Sequence, residues 1–382
     1  MTAGERETPM RLAMIGHKDF PSRSGGVEVV VFELSTRLAQ RGHSVTVYNR
    51  GRRAGDNQGS VQGVAYVRTA TSQRQSLNAL LYSITATLQA LPQKYDLIHY
   101  HALGPSVMLL LPHLRGIPTV ATVHGLDWQR AKWNRLGAAY LKLGERIIAR
   151  YADEVIVLSR DVQSYFWNTY GRSTNLIENA VTPIETAPCC EIRRQFGLEH
   201  HEYVLYLARI VPEKGLHHLI RAFRRCEGPC RLAVAGELPD NDYGREIRRL
   251  ADGCDRIVFT GFVQGRVLQE LYSNCALYVL PSHVEGMALT LLEAMSAGAR
   301  CLTSDIPENT DVLGEFGTFF ISGDEESLYQ ALSSLLSQPA ENPRAEEQRQ
   351  LIRRQYSYDT MVEKTLAVYE KARRRQHTRI KT

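Results

Sequence analysis

Residues 11–49 read RLAMIGHKDFPSRSGGVEVVVFELSTRLAQRGHSVTVYN and set the fold class of the chain. Residues 11–16 form a short apolar run that ends in glycine, which is typical of a buried strand. Residues 27–40 carry apolar side chains at helical spacing, and Gly42 marks the end of that helix. Residues 44–49 form the next strand. Strand, helix and strand in this order predict a βαβ unit with parallel strands.

The same alternation continues along the rest of the chain and starts afresh near its middle. Three further strands are predicted in the first series: residues 96–100, 118–123 and 154–158. Residues 61–68 alternate weakly and predict an edge hairpin. Residues 178–189 contain two prolines and no periodicity, which indicates a linker. The second series has five predicted strands: residues 203–208, 231–235, 256–260, 276–280 and 300–303.

Two α/β domains are therefore expected in this chain of 382 residues. The predicted boundaries are residues 1–184 for an N-terminal domain and 185–357 for a C-terminal domain. A long helix is predicted from residue 357 to residue 375, and residues 358–382 are expected to return to the N-terminal domain. In such folds ligands bind at the carboxyl ends of the strands.

Composition narrows the classes of protein that the chain can belong to. The net charge is +5, and the cations are spread along the chain, so nucleic-acid binding is not expected. Because no apolar run reaches about 18 residues, no transmembrane helix is expected. The polar start, Met1 to Pro9, lacks the apolar stretch of a secretory signal. Seven cysteines without a CxxC pair indicate reduced thiols in the cytosol.

Three stretches carry candidate ligand-binding residues. Gly25 and Gly26 stand where the first helix begins, so backbone amides can face an anion or a sugar hydroxyl there, although a plain flexible loop is the alternative. Arg209 and Lys214 follow the strand at residues 203–208, where a phosphate would sit. Charges in a loop are also commonly just solvated.

The third stretch, residues 281–298, reads PSHVEGMALTLLEAMSAG and gives the strongest signal. Glu285 is predicted at a helix N-terminus and Glu293 about two turns later, which separates the two carboxylates by about 12 Å. At that separation they can touch two parts of one elongated ligand, but they cannot act as a paired acid and base. The amides of residues 286–289 suit a diphosphate. A glutamate near a helix N-terminus is also favourable without any ligand.

Together these motifs resemble the retaining GT-B glycosyltransferases of sequence family 4. The resemblance rests on the following matches: Gly25-Gly26, Thr122-Val-His124-Gly125, Asn179-Ala-Val, the run from Ala208 through Arg209 to Lys214-Gly, Ala235-Gly236-Glu, and Glu285-x7-Glu293. It implies an α/β chain of GT-B type, with two Rossmann-like domains facing across a central cleft. It covers nearly the whole chain, and the last motif is fairly specific.

The resemblance also implies roles for individual residues. Arg209 and Lys214 would bind the donor diphosphate, Glu293 the ribose and Glu285 the donor sugar, while His124 would lie in the cleft near that sugar. The implied catalytic set is His124, Glu285, Arg209 and Lys214. The implied donor-binding set is Gly25, Gly26, Arg209, Lys214, Gly236, Val263, Glu285, Gly286, Met287, Ala288, Leu289 and Glu293. The sequence departs from the family at Met287-Ala288 and Thr290, which bears on donor identity.

The expected function is transfer of a sugar from a nucleotide-sugar, with retention of configuration, to a glycan, lipid-linked or small-molecule acceptor. UDP is expected first, GDP and dTDP stay open, and surface polysaccharide or glycoconjugate synthesis is the expected role. No cofactor and no metal ion are expected, since no convincing Asp-x-Asp motif follows a strand. A nucleotide-sugar epimerase or hydrolase on the same fold, and a non-catalytic glycan- or nucleotide-binding module, remain alternatives.

Two remaining features bear on partners. Residues 128–150 are rich in Lys and Arg and place Trp133, Leu136, Tyr140, Leu143 and Ile147 at helical spacing, so they predict either contact with an anionic membrane or packing on the first sheet. The pairs His99-x-His101 and His217-His218 are interpreted as structural or exposed histidines rather than metal ligands. The sequence leaves the oligomeric state open.

Overall fold

The computed structural model describes residues 8–51, 57–72, 75–130 and 133–380. The chain divides into two compact units, Met1–Asn179 with Tyr358–Thr382, and Ala180–Ser357. The division falls between Asn179 and Ala180, slightly before the predicted boundary at residue 185. Val181 explains the difference, because its N–H donates to the carbonyl oxygen of Tyr356 (3.0 Å) and so ties the start of the linker to the second unit.

The first unit is built on an eight-stranded sheet. Its strands are β1 (Arg11–Ile15), β2 (Ser44–Arg50), β3 (Gln58–Val61), β4 (Val64–Thr69), β5 (Leu97–His101), β6 (Thr119–Val123), β7 (Glu154–Val157) and β8 (Asn175–Leu176). Its first five helices are α1 (Gly26–Gln40), α2 (Gln75–Ala90), α3 (Leu110–Leu114), α4 (Arg135–Tyr151) and α5 (Arg160–Tyr170). The strand order is β3-β4-β2-β1-β5-β6-β7-β8, parallel except for the predicted edge hairpin of β3 and β4.

The second unit contains a six-stranded parallel sheet. Its strands are β9 (Tyr203–Leu207), β10 (Arg231–Ala235), β11 (Ile257–Gly261), β12 (Leu277–Leu280), β13 (Cys301–Ser304) and β14 (Thr318–Phe320), in the order β11-β10-β9-β12-β13-β14. Its helices are α6 (Glu191–Phe196), α7 (Leu216–Arg225), α8 (Asp242–Ala251), α9 (Gly265–Asn274), α10 (Leu289–Ala297), α11 (Pro307–Leu313), α12 (Glu325–Leu336) and α13 (Ala345–Gln355).

The central strands of both sheets are buried on two faces, which explains why these strands consist of continuous apolar runs in the sequence. Every residue of β12 is buried, and in β1 only Arg11 is exposed. In each sheet the order of connection reverses beside the first strand, since β1 lies between β2 and β5, and β9 lies between β10 and β12. Open α/β sheets bind their ligands at this reversal, at the carboxyl ends of the strands.

The last helix, α14 (Tyr358–Ile380), packs within the first unit. Its Tyr369 hydroxyl lies 2.7 Å from Nδ1 of His99. Lys371 and Arg375 each lie 3.0 Å from the buried carboxylate of Glu154. Neither α14 nor any other described helix combines the length and the apolar character that a membrane span requires.

Candidate active site

The predicted donor-binding residues of the second unit follow four neighbouring strands. Arg209 and Lys214 follow β9, Gly236 follows β10, Val263 follows β11 and Glu285 follows β12. These strands are parallel and adjacent in the order β11-β10-β9-β12, so their carboxyl ends lie along one edge of the sheet. The structure therefore gathers residues that are spread over more than seventy positions of sequence along the edge where such folds bind ligands.

Lys214 and Glu285 form an ion pair at this edge, between Nζ and Oε1. Their side chains are only 14% and 6% exposed. The backbone brings their segments together, because the N–H of His283 donates to the carbonyl oxygen of Glu213 (2.9 Å). The sequence interpretation assigned the cation to the diphosphate and the carboxylate to the sugar. The structure shows that the two groups also neutralise each other.

Glu285 does not stand at a helix N-terminus, and that prediction is wrong. Helix α10 begins at Leu289, and Ala288 before it has extended backbone angles. Glu285 therefore lies in the loop between β12 and α10, so its separation from Glu293 does not follow from helical geometry. Glu293 lies inside α10, where its Oε2 accepts a hydrogen bond from the Tyr272 hydroxyl (2.8 Å).

The loop residues before α10 are well packed. Gly286, Met287 and Ala288 are buried, and Leu289 is half-buried. Thr290, one of the departures from the family pattern, accepts a hydrogen bond at Oγ1 from the Tyr278 hydroxyl (2.8 Å). Thr290 therefore satisfies the buried hydroxyl of Tyr278, and a proline at this position has no side-chain oxygen that could accept this hydrogen bond.

The remaining predicted residues of this edge differ in exposure. Arg209 is exposed, and its carbonyl oxygen accepts from the Tyr206 hydroxyl (3.3 Å). Gly236 has φ +153°, and a Cβ atom there would lie 2.4 Å from the carbonyl oxygen of Ala208, so the loops after β9 and β10 approach closely only because this residue is glycine. Val263 is half-buried in the loop between β11 and α9.

In the first unit, Gly25 and Gly26 lie at the start of α1, as the sequence predicted. The carboxylate of Glu28 is nearby, since it accepts from the N–H of Lys18 (3.2 Å) and a Cβ on Gly25 would lie 2.4 Å from Glu28 Oε2. A carboxylate in the first turn disfavours a second anion there. This end of α1 therefore suits a sugar hydroxyl better than a phosphate.

His124 belongs to a cluster of histidines whose proximity was not predicted from the sequence. His124 Nε2 lies 3.1 Å from His101 Nδ1, and the rings of His101 and His99 are 4.1 Å apart. His99 Nε2 lies 2.7 Å from Thr122 Oγ1, and its Nδ1 meets Tyr369 of α14. The closeness of His99 and His101 was predictable from the sequence, because residues i and i+2 of a strand lie on the same face. The partner from α14 was not foreseeable.

A fourth histidine, His17, lies at the same edge of the sheet, two residues after the end of β1. Its Nε2 lies 2.8 Å from Asn49 Oδ1, while Nδ1 of His17 and Nε2 of His101 are buried without a hydrogen-bond partner among the described residues. Gly16 makes this arrangement possible, since a Cβ on Gly16 would lie 2.0 Å from the carbonyl oxygen of His101. Two buried nitrogens without a hydrogen-bond partner at one edge require an explanation, and a bound polar ligand would supply one.

Burial keeps these histidines uncharged. It lowers the pKa of His99 to about 3 and those of His17 and His124 to about 4, and it lowers the pKa of His101 well below its ordinary value. Neutral imidazoles both donate and accept hydrogen bonds, which suits contact with sugar hydroxyls.

We expect the stability of the first unit to fall as the pH falls from about 6.5 to about 4, because the unfolded chain binds protons there and the buried histidines do not. Each such histidine contributes a slope of up to about 1.4 kcal/mol per pH unit. His99→Gln should give a shallower dependence, whereas His200→Gln, at an exposed position, should not. Melting temperatures measured across this range check the expectation, and identical slopes for wild type and His99→Gln would contradict it.

Comparison with known proteins identifies the family of the chain. The family description "Glycosyltransferase Family 4" matches residues 24–183, and "Glycosyl transferases group 1" matches residues 190–357. Among characterised relatives, the GDP-mannose-dependent alpha-(1-6)-phosphatidylinositol monomannoside mannosyltransferase of Mycolicibacterium smegmatis is 27% identical over 84% of this chain and 88% of its own length.

Solved structures show the same architecture. Sucrose-phosphate synthase from Thermosynechococcus elongatus superposes with a TM-score of 0.81 at 22% identity, covering 95% of this chain and 98% of that chain. Anabaena HepE, crystallised with UDP and glucose, gives a TM-score of 0.78 at 18% identity, covering 94% of this chain and 99% of that one. The two family descriptions together span most of the chain, and the two Rossmann-like units agree with them. The chain therefore belongs to the glycosyl transferases group 1, of family 4 type and with the GT-B fold, and it is a glycosyltransferase.

Proposed function

We propose that this glycosyltransferase takes its sugar from a nucleotide-sugar that binds at the carboxyl edge of the second sheet. The observation that carries the proposal is the buried Lys214–Glu285 pair, together with the exposed Arg209 in the same segment after β9. A buried ion pair is poor at stabilising a fold, so its presence at a ligand-binding edge favours a functional reason. UDP is the first candidate nucleotide, and HepE binds UDP. GDP stays a candidate because one relative is named as GDP-mannose-dependent, and dTDP is the third.

The proposed chemistry is metal-independent and retains the configuration of the sugar. Arg209 would hold the diphosphate through its planar guanidinium, and Lys214 would supply a second positive charge as negative charge develops on the departing nucleotide. The amides at the start of α10 would add to this stabilisation. When the donor binds, Lys214 exchanges part of its contact with Glu285 for the phosphate, and Glu285 is then available to a hydroxyl of the donor sugar.

The first unit would supply the acceptor side of the reaction. His124, held at Nε2 by His101, keeps Nδ1 as the ring nitrogen that a sugar hydroxyl can use. Its lowered pKa makes it a neutral hydrogen-bonding group rather than a cation near pH 7. The proposed acceptor is a glycan, a lipid-linked sugar or a small molecule, and the proposed role is polysaccharide or glycoconjugate synthesis.

The donor is tested first by thermal shift, with UDP, GDP, dTDP and their sugar conjugates and without added metal. A ligand at about 100 times its dissociation constant stabilises its binding unit by roughly 2.7 kcal/mol. We expect one nucleotide series to shift the wild type, and the shift to disappear in Arg209→Ala and in Glu293→Ala.

Arg249→Ala is the matched control. Arg249 is also exposed, but it lies near the end of α8, and a crossover helix runs back along the sheet towards the amino ends of the strands. This variant should respond like the wild type. If no nucleotide shifts the wild type, or if Arg249→Ala loses the shift together with Arg209→Ala, the donor site is not where we propose it. Acceptor-dependent release of the nucleotide then separates transfer from hydrolysis or epimerisation.

We also propose that the protein works in the cytoplasm, docked on an anionic membrane surface through α4. The outer face of α4 combines exposed apolar and basic residues, since Leu136 is 81% exposed and Leu143 46% exposed, beside the exposed cations Arg135, Arg146 and Arg150. Such a mixture favours the interface of an anionic bilayer. The predicted stripe is not all on this face, because the Tyr140 hydroxyl donates to the Gly104 carbonyl oxygen (2.9 Å).

Lys142 is not a membrane-facing cation. Its Nζ lies 3.5 Å from the ring centre of Trp128 and 3.6 Å from Oε1 of the fully buried Glu145. Lys132, which the sequence also suggests for this face, lies outside the described residues. The cations to test are therefore the three exposed arginines of α4.

Flotation with vesicles that contain anionic phospholipid checks the docking proposal. Each cation near such a surface contributes about 1 kcal/mol, so Arg135→Glu/Arg146→Glu/Arg150→Glu should abolish flotation of a protein that otherwise binds. Arg248→Glu/Arg249→Glu/Arg354→Glu makes the same change of charge at exposed positions of the second unit and should float like the wild type. Equal flotation of the two triple variants would contradict docking through α4.

A further inference from the structure

Three histidines of the second unit come together beside the Lys214–Glu285 pair. His217 and His218 are the second and third residues of α7, and His283 lies in the loop after β12. One ring nitrogen from each lies within 4.8 Å of the other two. The ring centres are 4.0 Å apart for His217 and His218, 5.2 Å for His218 and His283, and 6.4 Å for His217 and His283.

We propose that His217, His218 and His283 bind a divalent transition-metal ion, with Zn²⁺ as the probe, and that the ion fastens the segment after β9 to the segment after β12. Zinc binds three imidazoles in a tetrahedral arrangement in which the fourth position is left open for water. With Zn–N bonds of ~2.0–2.1 Å, the three ring nitrogens must approach to about 3.4 Å from one another. Rotation of the side chains that moves each nitrogen by about an ångström achieves this. An ordinary structural or exposed role accounts for the adjacent pair His217 and His218, but it does not account for the convergence of His283 on them.

The neighbours of the three rings fit metal ligation. His217 Nδ1 lies 2.9 Å from the Tyr243 hydroxyl, and His283 Nδ1 lies 3.3 Å from Ser322 Oγ. Ligating histidines commonly use one ring nitrogen for such a partner, which orients the ring, and the other for the metal. Nδ1 of His218 is buried without a hydrogen-bond partner among the described residues, and a metal bond at this ring would relieve that cost.

The charges around the cluster permit a divalent ion. Arg221 is the nearby cation, and its guanidinium is paired with Glu246 at 3.3 Å and with Glu325 at 3.9 Å. These carboxylates offset the arginine. Imidazoles also suit Cu²⁺ and Ni²⁺, so the class of ligand is a borderline transition metal rather than Mg²⁺ or Ca²⁺, which take oxygen ligands.

The position of the cluster gives the ion a structural effect on the proposed donor site. His217 and His218 lie three and four residues after Lys214, and His283 lies two residues before Glu285. An ion held by all three therefore fixes the backbone on both sides of the ion pair. The ion itself takes no part in the sugar transfer. Because the site rests on the geometry of the histidines alone, its test needs no nucleotide.

The test is a competition titration of the metal-stripped full chain with Zn²⁺ against a chelating dye. The wild type is expected to bind one more ion per chain than His218→Asn/His283→Asn. The matched control is His200→Asn/His201→Asn, which removes another neighbouring pair of the same unit, with ring centres 3.8 Å apart, and it should bind like the wild type. Equal binding by wild type and His218→Asn/His283→Asn, or equal loss in the control, overturns the proposal.

Two further measurements keep the proposal testable if the double variant folds poorly. Tyr243→Phe removes only the hydrogen-bond partner of His217 and is expected to weaken Zn²⁺ binding by about tenfold. Co²⁺ bound at this site should give a visible spectrum without a thiolate charge-transfer band. A thiolate band, or unchanged affinity in Tyr243→Phe, would assign the metal to the cysteines or to other residues and would overturn the site.

Discussion

Lys214→Ala is expected to destabilise the second unit by about 3–5 kcal/mol, because it leaves the carboxylate of Glu285 buried without its partner. The same change is expected to lower the transfer rate by about 10²–10³, as loss of one charge-stabilising group at a departing anion commonly does. Urea unfolding measures the first effect, and steady-state transfer from the nucleotide-sugar measures the second. An alanine variant as stable as the wild type would contradict the buried pair.

The double variant Lys214→Met/Glu285→Leu separates the two effects. Replacing both charges with apolar side chains of similar volume removes the unpaired carboxylate, so the free energy of unfolding should return close to that of the wild type. Transfer should stay at least as slow as in Lys214→Ala, because neither the cation nor the carboxylate is present. If the stable double variant transferred sugar at the wild-type rate, the pair would be structural only and the proposed donor chemistry would be wrong.

Gly215→Ala is expected to disrupt the same edge through the backbone. Gly215 has φ +67°, and a Cβ atom there would lie 2.0 Å from the carbonyl oxygen of Pro281. Neither the carbonyl nor α7 can move without displacing the loop that carries Glu285. We expect a loss of stability well above the 1–2 kcal/mol that a left-handed alanine costs by itself, and a loss of nucleotide binding.

Gly253→Ala is the control for Gly215→Ala. Its φ is +70°, and nothing lies within 4 Å of the position that its Cβ would take. This variant therefore pays only the conformational cost and should keep full nucleotide affinity in the thermal-shift assay. Similar losses in the two variants would show that backbone conformation, and not the contact with Pro281, is what matters at Gly215.

Much of the fold was predictable because buried parallel strands appear in the sequence as short continuous apolar runs. The predicted ends of β1, in which four of the five residues are buried, and of β9 lie within one residue of the observed ends. Strands β8 and β14 were missed, since two and three residues are too few to show a pattern. The start of α10 was placed too early because Gly286 and Ala288 carry no capping side chain that marks a helix start.

The candidate site was predictable as a set of residues but not as a set of contacts. The loops after β9 and β12 were identified separately, and only the sheet order makes them neighbours. The pairing of Lys214 with Glu285 joins positions 71 residues apart, and that of His99 with Tyr369 joins positions 270 residues apart. Local propensity carries no information about such contacts, because tertiary packing alone creates them.

The return of α14 to the first unit has a consequence for biosynthesis. A ribosome completes Ala180–Ser357 before it makes Tyr358, so the first unit emerges first but is finished last. Until then the carboxylate of Glu154 lacks Lys371 and Arg375, and His99 lacks Tyr369. Domains usually fold as units while they emerge. In this chain the nascent first unit stays incomplete until α14 has left the exit tunnel.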